Sequence, residues 1–184
     1  MVLAAVLLQL GLHVGRPKIG EVCTRRSLIS TAAGGSLAAV LPFAAHAEDE
    51  KQRRLPAAKL AELVRADIEQ NQFLVTGKLT RSLYDESCTF KDEIDTYTLD
   101  KWIKGTGALF VGEKSHVDIV GDVAATEKEV RFRFSEVLAF NIPLTPKVPL
   151  TGTLVLTRGD DGLFTAYNEI WDTNVADTLR RGYL

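Results

Sequence analysis

The stretch LTRSLYDESCTFKDEIDTYTLDKWIKGTGALF, residues 79–110, decides the predicted fold. The spacing of Leu79, Leu83 and Tyr84 predicts a short apolar helix that ends at Asp85. The chain is then expected to turn through Cys88–Phe90. Such a turn after a short helix would bring the following residues to the edge of the space that the helix covers.

An acidic cluster follows this turn, formed by Asp92, Glu93 and Asp95. A second helix comes next, and its apolar residues recur at helical spacing: Leu99, Trp102, Ile103 and Leu109. Because the acids stand between two helices, we expect them at the rim of whatever cavity the helices close.

The charge of the chain is unevenly distributed. The 184 residues carry a net charge of −2, but residues 1–47 hold four basic groups and one acid, so the remainder from Glu48 stands at −5. An acidic body without a run of lysine or arginine lacks the basic face that phosphate contacts require. Nucleic acid is therefore excluded as the default partner, while the 46% apolar content is ordinary for a chain with a buried core.

The two cysteines, Cys23 and Cys88, fall in different parts of the chain. If the part before Glu48 is removed, one thiol remains and no internal disulfide can form. A nucleophilic Cys88 would need a nearby base, and the only histidine of the body, His116, lies on another predicted element. The residues therefore favour Cys88 as a small buried packing residue.

Residues 1–47 are predicted to be a targeting leader. The twin arginine Arg25-Arg26 precedes a modest apolar run, and Ala45-His46-Ala47 before Glu48 fits an A-x-A cleavage site. A retained helical anchor is the alternative, but the run is broken by glycine and proline and is short for a membrane span. The extension before the twin arginine favours delivery to the thylakoid lumen, with a bacterial periplasm second, and no membrane span in the mature form.

The body divides into a charged spacer at residues 48–55 and one domain at residues 56–184. Pro56 can begin a helix because its missing N–H costs nothing there, and apolar residues recur at helical spacing through Ile68. From Ser115 the period changes to two, and a short helix over Val175–Arg181 closes the chain. The four predicted strands span residues 116–123, 130–140, 150–158 and 163–171. Helices followed by an antiparallel sheet predict an α+β fold.

Alternation within the strands predicts which residues share a face. Glu136 falls on an apolar face, together with Val130, Phe132, Phe134, Leu138 and Phe140. If Glu136 is buried without a partner, its burial is costly and raises its pKa. If a β-bulge occurs there, it turns Glu136 outward. The sequence does not decide between these two placements. In the last strand one face holds Tyr167, Glu169 and Trp171, and the other holds Phe164, Ala166, Asn168 and Ile170.

Three pieces of this pattern occur together: LYDESCTFKDE, the helix of Trp102, and GLFTAYNEIWD near the end. With the order of the elements, they make residues 57–181 resemble the NTF2-like (SnoaL-like) superfamily. The proline-rich crossing before Thr151-Gly152 looks like a plant and algal plastid branch of it. The resemblance implies a cone of about three N-terminal helices packed on a curved, four- to six-stranded antiparallel sheet. It implies no single function, because enzymes, transport factors and binding modules share this fold.

The resemblance also assigns roles to residues. In the ketosteroid isomerases of the superfamily the acid of the F-x-D turn is the general base, and Asp92 matches it. Ile68 and Leu154 fall near the positions of the oxyanion-hole donors, and neither can donate a side-chain hydrogen bond. Loss of such a donor costs several kcal/mol of barrier, which disfavours that reaction. Trp171 matches a tryptophan of the isomerase pocket, which favours its face of the last strand as the inner one.

Two main functions follow. The first is a non-catalytic lumenal module that binds a small apolar ligand or a photosynthetic partner through a pocket lined by Trp102, Phe132, Phe134, Tyr167, Glu169 and Trp171. The alternative is an isomerase, dehydratase or cyclase with Asp92 or Glu136 as general base, although Asp92 can also serve only to bond its own turn. A third hypothesis is an interaction domain that forms a homodimer through the outer sheet face. No cofactor is predicted, and no Cys/His cluster has the spacing of a metal site.

Overall fold

The computed structural model describes residues 50–184. The predicted leader, its cleavage site and the first two spacer residues lie outside the described residues. In the part that is described, no helix is long and apolar enough to cross a membrane. The spacer residues that can be seen are bonded to the domain: Gln52 N donates to Ser82 O at 2.9 Å, and Arg54 N donates to Asp161 O at 3.0 Å.

The helical layer begins with α1 (Ala57–Glu69), which starts after Pro56 as predicted and buries its apolar stripe. Gln72, in the left-handed region with φ 53°, separates α1 from the one-turn helix α2 (Phe73–Thr76). The Gln72 side chain accepts a hydrogen bond from Val117 N at 2.8 Å and donates one to Val117 O at 3.0 Å. An amide side chain thus bonds both backbone groups of Val117 and ties the helices to the sheet.

Six strands form one sheet in the order β2-β1-β6-β5-β4-β3, and every neighbouring pair is antiparallel except β1 and β6. The strands are β1 (Tyr84–Lys91), β2 (Thr96–Thr98), β3 (His116–Ala125), β4 (Glu129–Ala139), β5 (Lys147–Arg158) and β6 (Phe164–Trp171). Helix α3 (Leu99–Leu109) connects β2 to β3 through a 3-10 turn at Gly112–Lys114, and α4 (Val175–Arg180) follows β6. The predicted α+β fold, with helices packed on a largely antiparallel sheet, is confirmed.

The helix and turn predicted for residues 79–90 are wrong. Only a 3-10 turn, Arg81–Leu83, is helical there, and the chain continues as β1. Tyr84, Cys88 and Phe90 face the core, and their even spacing fits a strand with an irregularity between Tyr84 and Thr89. The pairing of β1 with β6, far away in the sequence, stabilises this strand, and no local pattern reports such a partner.

The inner face of β4 is the one that alternation predicts. The strand pairs with β5 without interruption from Glu129 to Ala139, so Glu136 stays on the buried face and a bulge at this residue is excluded. One residue of β6 departs from its predicted face: Phe164 is fully buried, because the register between β5 and β6 shifts beside it. An irregular pairing therefore adds an aromatic ring to the core that strict alternation assigns to the outer face.

Candidate functional site

A cavity of about 400 Å³ lies between α3, the turn that joins β1 to β2, the inner sheet face and α4. This volume falls within the usual range of small-molecule sites, about 300–1,000 Å³. Most of its wall is apolar and is formed by Leu74, Ile94, Trp102, Leu109, Phe110, Leu138, Phe140, Val148, Trp171 and Leu179. The polar groups in the wall come from Asp92, Asp95, Tyr97, Lys101, Thr106, Glu136, Glu169 and Thr178.

A cluster of packed rings fixes one side of the cavity. The ring of Phe90 stacks on Trp102 with centroids 4.8 Å apart and on Tyr167 with centroids 4.7 Å apart. Phe73 from α2 approaches Trp102 at 5.9 Å. Such offset aromatic pairs contribute beyond their buried area, so Trp102 is held in place and this wall exists before any ligand arrives.

Glu136 is the most unusual group of the cavity. It is 4% exposed, and its Oε2 atom makes no hydrogen bond within the described residues. Burial away from water raises its pKa well above the ordinary value, and the nearby charge of Glu169 raises it further. A buried carboxyl without a partner costs stability unless it is protonated or meets a ligand.

Glu169 is the second carboxyl of the inner sheet face. The Tyr167 hydroxyl donates to its Oε2 at 2.5 Å, and Trp171 Nε1 donates to its Oε1 at 2.6 Å. All three residues alternate along one face of β6, as the sequence predicts. Burial raises the pKa of Glu169 to about 7, although the two hydrogen bonds favour the ionised form and lower it.

Asp92 lies in the turn between β1 and β2 and has two connections. Its Oδ1 accepts hydrogen bonds from the backbone N–H groups of Ile94 and Asp95, both at 2.8 Å, which is the geometry of an Asx turn. It also lines the cavity. Burial raises the pKa of Asp92 even though the backbone hydrogen bonds lower it. The residue therefore shapes the turn and presents a carboxyl to the site at the same time.

The structure brings some predicted site residues together and leaves others apart. Those that line the cavity are Asp92, Trp102, Glu136, Glu169 and Trp171. Phe132, Phe134 and Tyr167 are predicted pocket residues that do not line it, and each is buried in the core. Alternation identifies the inner face but not how far along a strand the cavity extends, and on β4 it begins at Glu136.

Several lining residues escaped the sequence prediction. Leu138 and Phe140 carried a usable signal, because they share the predicted face of Glu136. Val148 precedes the strand predicted over residues 150–158, yet β5 already begins at Lys147 and Val148 is 1% exposed. Leu179 lines the cavity because α4 folds back onto the sheet. That placement depends on tertiary packing rather than on a local pattern.

Other reactive side chains lie outside the cavity. Cys88 is 1% exposed, and burial raises its pKa to about 12, so its thiol stays protonated, as expected of a packing residue. His116 Nε2 lies 2.9 Å from Asp118 Oδ1 in an exposed pair on β3. Among residues 50–184, no group of three or more His, Cys, Asp and Glu side chains could hold a metal ion.

No protein-family model matches this chain, and no curated protein sequence matches it. The comparison with solved structures does find similar chains. AclR from Streptomyces galilaeus is 13% identical with a TM-score of 0.47, and the match covers 64% of this chain and 77% of AclR. An NTF2-like protein of unknown function from Exiguobacterium sp. 255-15 is 14% identical with a TM-score of 0.43, over 64% of this chain and 98% of that one.

The epoxide hydrolase/cyclase-like enzyme SalBIII is a third similar structure, 15% identical with a TM-score of 0.47, over 63% of this chain and 92% of its own. At these identities and TM-scores, none of these similarities carries an argument about family, ligand or reaction. The plant and algal branch stays a prediction.

Proposed function

We propose that this protein binds a small, mainly apolar ligand in the cavity and does not transform it. The observation that carries the proposal is a cavity of about 400 Å³ whose wall is mostly hydrocarbon and aromatic. The rigid ring cluster around Phe90 supports it, because a preformed site avoids the cost of ordering side chains on binding. Ile68 and Leu154, both fully buried, leave the predicted oxyanion-hole positions without donors.

Intrinsic fluorescence gives a direct test. Trp102 and Trp171 are the two tryptophans of the chain, and both line the cavity. A ligand that enters should therefore change most of the tryptophan emission. Titration with naphthylmethanol, a neutral probe with a flat apolar body, is expected to give saturable quenching. Quenching that rises linearly without saturation would argue against a binding site.

A pair of variants on α3 tests whether the probe occupies the cavity. Thr106 is 7% exposed and lines the cavity, and Thr106→Phe should fill part of it. Lys104 lies on the exposed side of the same helix and does not line the cavity, so Lys104→Phe is the matched control. We expect at least about ten-fold weaker binding, or about 1.4 kcal/mol, for the first variant only. Equal affinities would place the probe elsewhere.

A second function is favoured by one observation: Asp92, Glu136 and Glu169 line the same cavity, and the pKa of each is raised. Perturbed acids in one cleft are typical of acid–base catalysis, which supports an isomerase, dehydratase or cyclase with Asp92 or Glu136 as base. The test is proton exchange at carbon next to the carbonyl of unsaturated ketones in deuterated water, followed by NMR. Exchange abolished by Asp92→Asn or Glu136→Gln would support catalysis, and absence of exchange would leave the binding function.

The cellular setting is proposed from residues 1–47 alone. We propose that binding takes place in the thylakoid lumen after cleavage near Glu48, where a photosynthetic complex or a second copy of the chain could be a partner. Mass spectrometry of the protein from its native source should give a mature N-terminus near Glu48. An N-terminus well upstream of Ala47 would contradict lumenal delivery.

A further inference from the structure

The polar groups of the cavity are unbalanced in charge. Four of them are carboxyls, from Asp92, Asp95, Glu136 and Glu169, and one is basic, the exposed Lys101. In the described part of the chain, no ion pair involves Glu136 or Glu169. The cavity wall therefore holds four carboxyls and one basic group, and the two carboxyls on the sheet have no cationic partner within residues 50–184.

The cavity also leaves a hydrogen-bond acceptor without a donor. The two donors on β6, Tyr167 and Trp171, are both directed at Glu169. Within residues 50–184 Glu136 receives no hydrogen bond, and its Oε2 is a buried acceptor without a partner. Native proteins leave very few buried polar atoms unsatisfied. An unpartnered carboxyl in the wall of a cavity points to a donor that arrives with the ligand.

We propose that the ligand carries a protonated amine on an apolar body, with the ammonium donating a hydrogen bond to Glu136 while the body contacts Trp102 and Trp171. This inference rests on the proposed binding function and names the chemical class of its ligand. An ammonium group has three donors and no acceptor, so it adds what the cavity lacks. Charge-assisted hydrogen bonds to a carboxylate are roughly twice as strong as neutral ones.

The acidity of the surroundings gives this proposal a characteristic pH dependence. The titratable groups that line the cavity together with Glu136 are Glu169 on β6, the acids Asp92 and Asp95 of the turn, Tyr97 on β2 and Lys101 on α3. The buried Tyr167 on β6 also lies close enough for the charge of Glu136 to raise its pKa. Burial, and after it the charge of Glu169, raise the pKa of the free Glu136 and so favour its protonated form. An ammonium ligand favours the ionised form instead, so its binding should release protons and should become tighter as the pH rises from 5 to 8.

A neutral ligand that accepts a hydrogen bond would behave in the opposite way. A ketone or an ether would need the protonated form of Glu136 as its donor, and its affinity would fall as the pH rises. The sign of the pH dependence therefore separates the two ligand classes without any variant.

Three probes of one shape provide the experiment: naphthylmethylamine, naphthylmethanol and naphthoate, titrated against tryptophan fluorescence at pH 5 and pH 8. The amine is expected to bind about ten-fold more tightly than the alcohol at pH 8. The ratio should approach one at pH 5 and in Glu136→Gln. Glu113→Gln, at an exposed acid outside the cavity, should behave as the wild type. Calorimetry of the wild type in two buffers of different ionisation enthalpy should show proton release with the amine only.

The results of these titrations test the ammonium inference and the binding function separately. Equal binding of amine and alcohol at pH 8 would overturn the ammonium inference and leave the binding function standing. Tighter binding of naphthoate or of the alcohol would overturn it in favour of a ligand that accepts hydrogen bonds. If none of the probes gives saturable quenching, the proposed binding function fails as well. If Glu136→Gln fails to fold, the calorimetric proton count on the wild type still decides the question.

Discussion

Replacing Glu136 with leucine is expected to stabilise the protein. The wild-type carboxyl is 4% exposed and has an unbonded oxygen. Leaving a buried polar atom unsatisfied costs about 1–3 kcal/mol, and that cost disappears when an apolar side chain of similar size takes the place. The inner face of β4 around it is already apolar. We therefore expect Glu136→Leu to raise the free energy of unfolding by about 1–3 kcal/mol at pH 8.

Glu136 and Glu169 together determine how the stability of the wild type varies with pH. The folded-state pKa values of Glu136 and Glu169 lie above those of the unfolded chain, so the folded state binds more protons and stability falls as the pH rises. For Glu169 the fall begins near the ordinary 4.5 and ends near the folded value of about 7. At about 1.4 kcal/mol for each pH unit between the two values, the protein loses at most about 3.5 kcal/mol of stability through Glu169.

Acids with lowered pKa values do not mask this effect. Asp85, Glu86 and Asp172 are bonded to serine, lysine, arginine or threonine side chains, which hold their pKa values below the ordinary range. Their contribution is present above the ordinary carboxyl pKa and is lost only as the pH falls through the folded value. The window between pH 5 and pH 8 therefore reports mainly on the buried acids.

Urea denaturation followed by far-ultraviolet circular dichroism at pH 5, 6, 7 and 8 measures both effects. The wild type should lose stability across this window, and Glu136→Leu should lose less, because one buried acid with a raised pKa is gone. A wild-type stability that is constant or rises from pH 5 to pH 8 would refute the reasoning. So would a variant less stable than the wild type at pH 8.

Three further predictions concern packing. A Cβ atom at Gly152 would lie 2.8 Å from Phe134 Cζ and 2.5 Å from a backbone carbonyl, so Gly152→Ala should destabilise the protein by about 1–3 kcal/mol in urea; an unchanged midpoint would contradict this. Arg158 is 8% exposed and its guanidinium donates to three backbone carbonyls. Arg158→Met should therefore lower the thermal midpoint. A higher midpoint would mean that the packing of the side-chain stem contributes more to stability than these hydrogen bonds. Cys88, in a Cys23→Ser background, should react with a thiol reagent only after unfolding; rapid reaction of the native protein would show that the thiol is accessible.

Alternation in long strands was the most reliable guide to this fold. The inner face of β4 follows from its clear apolar side and its uninterrupted pairing. In β6 alternation separates two faces, and only the resemblance, through Trp171, favours the inner one. The sequence of β4 does not by itself place Glu136, since a bulge depends on the register with a neighbouring strand and not on the strand itself. Phe164 shows the same limit, because the register shift beside it moves the ring into the core.

The errors of the sequence interpretation lie where distant segments meet. Residues 79–90 have a four-residue apolar spacing that suits a helix turn, but the partner that makes them a strand is β6, which lies about eighty residues later. The extent of the cavity likewise depends on how α4 folds back and where β5 begins. Local patterns can name an inner face, but the volume enclosed above it is a property of the assembled elements.

The parallel pairing of β1 with β6 also has a consequence for synthesis. Tyr84 pairs with Phe164 and Phe90 with Tyr167. The first strand of the sheet therefore cannot complete its pairing until the last strand has left the ribosome. Contacts that span so much of the chain slow folding. A nascent polypeptide that ends before β6 should expose Phe90 and its neighbours to chaperones and proteases, and the chamber that would receive a ligand should become complete only in the last moments of translation.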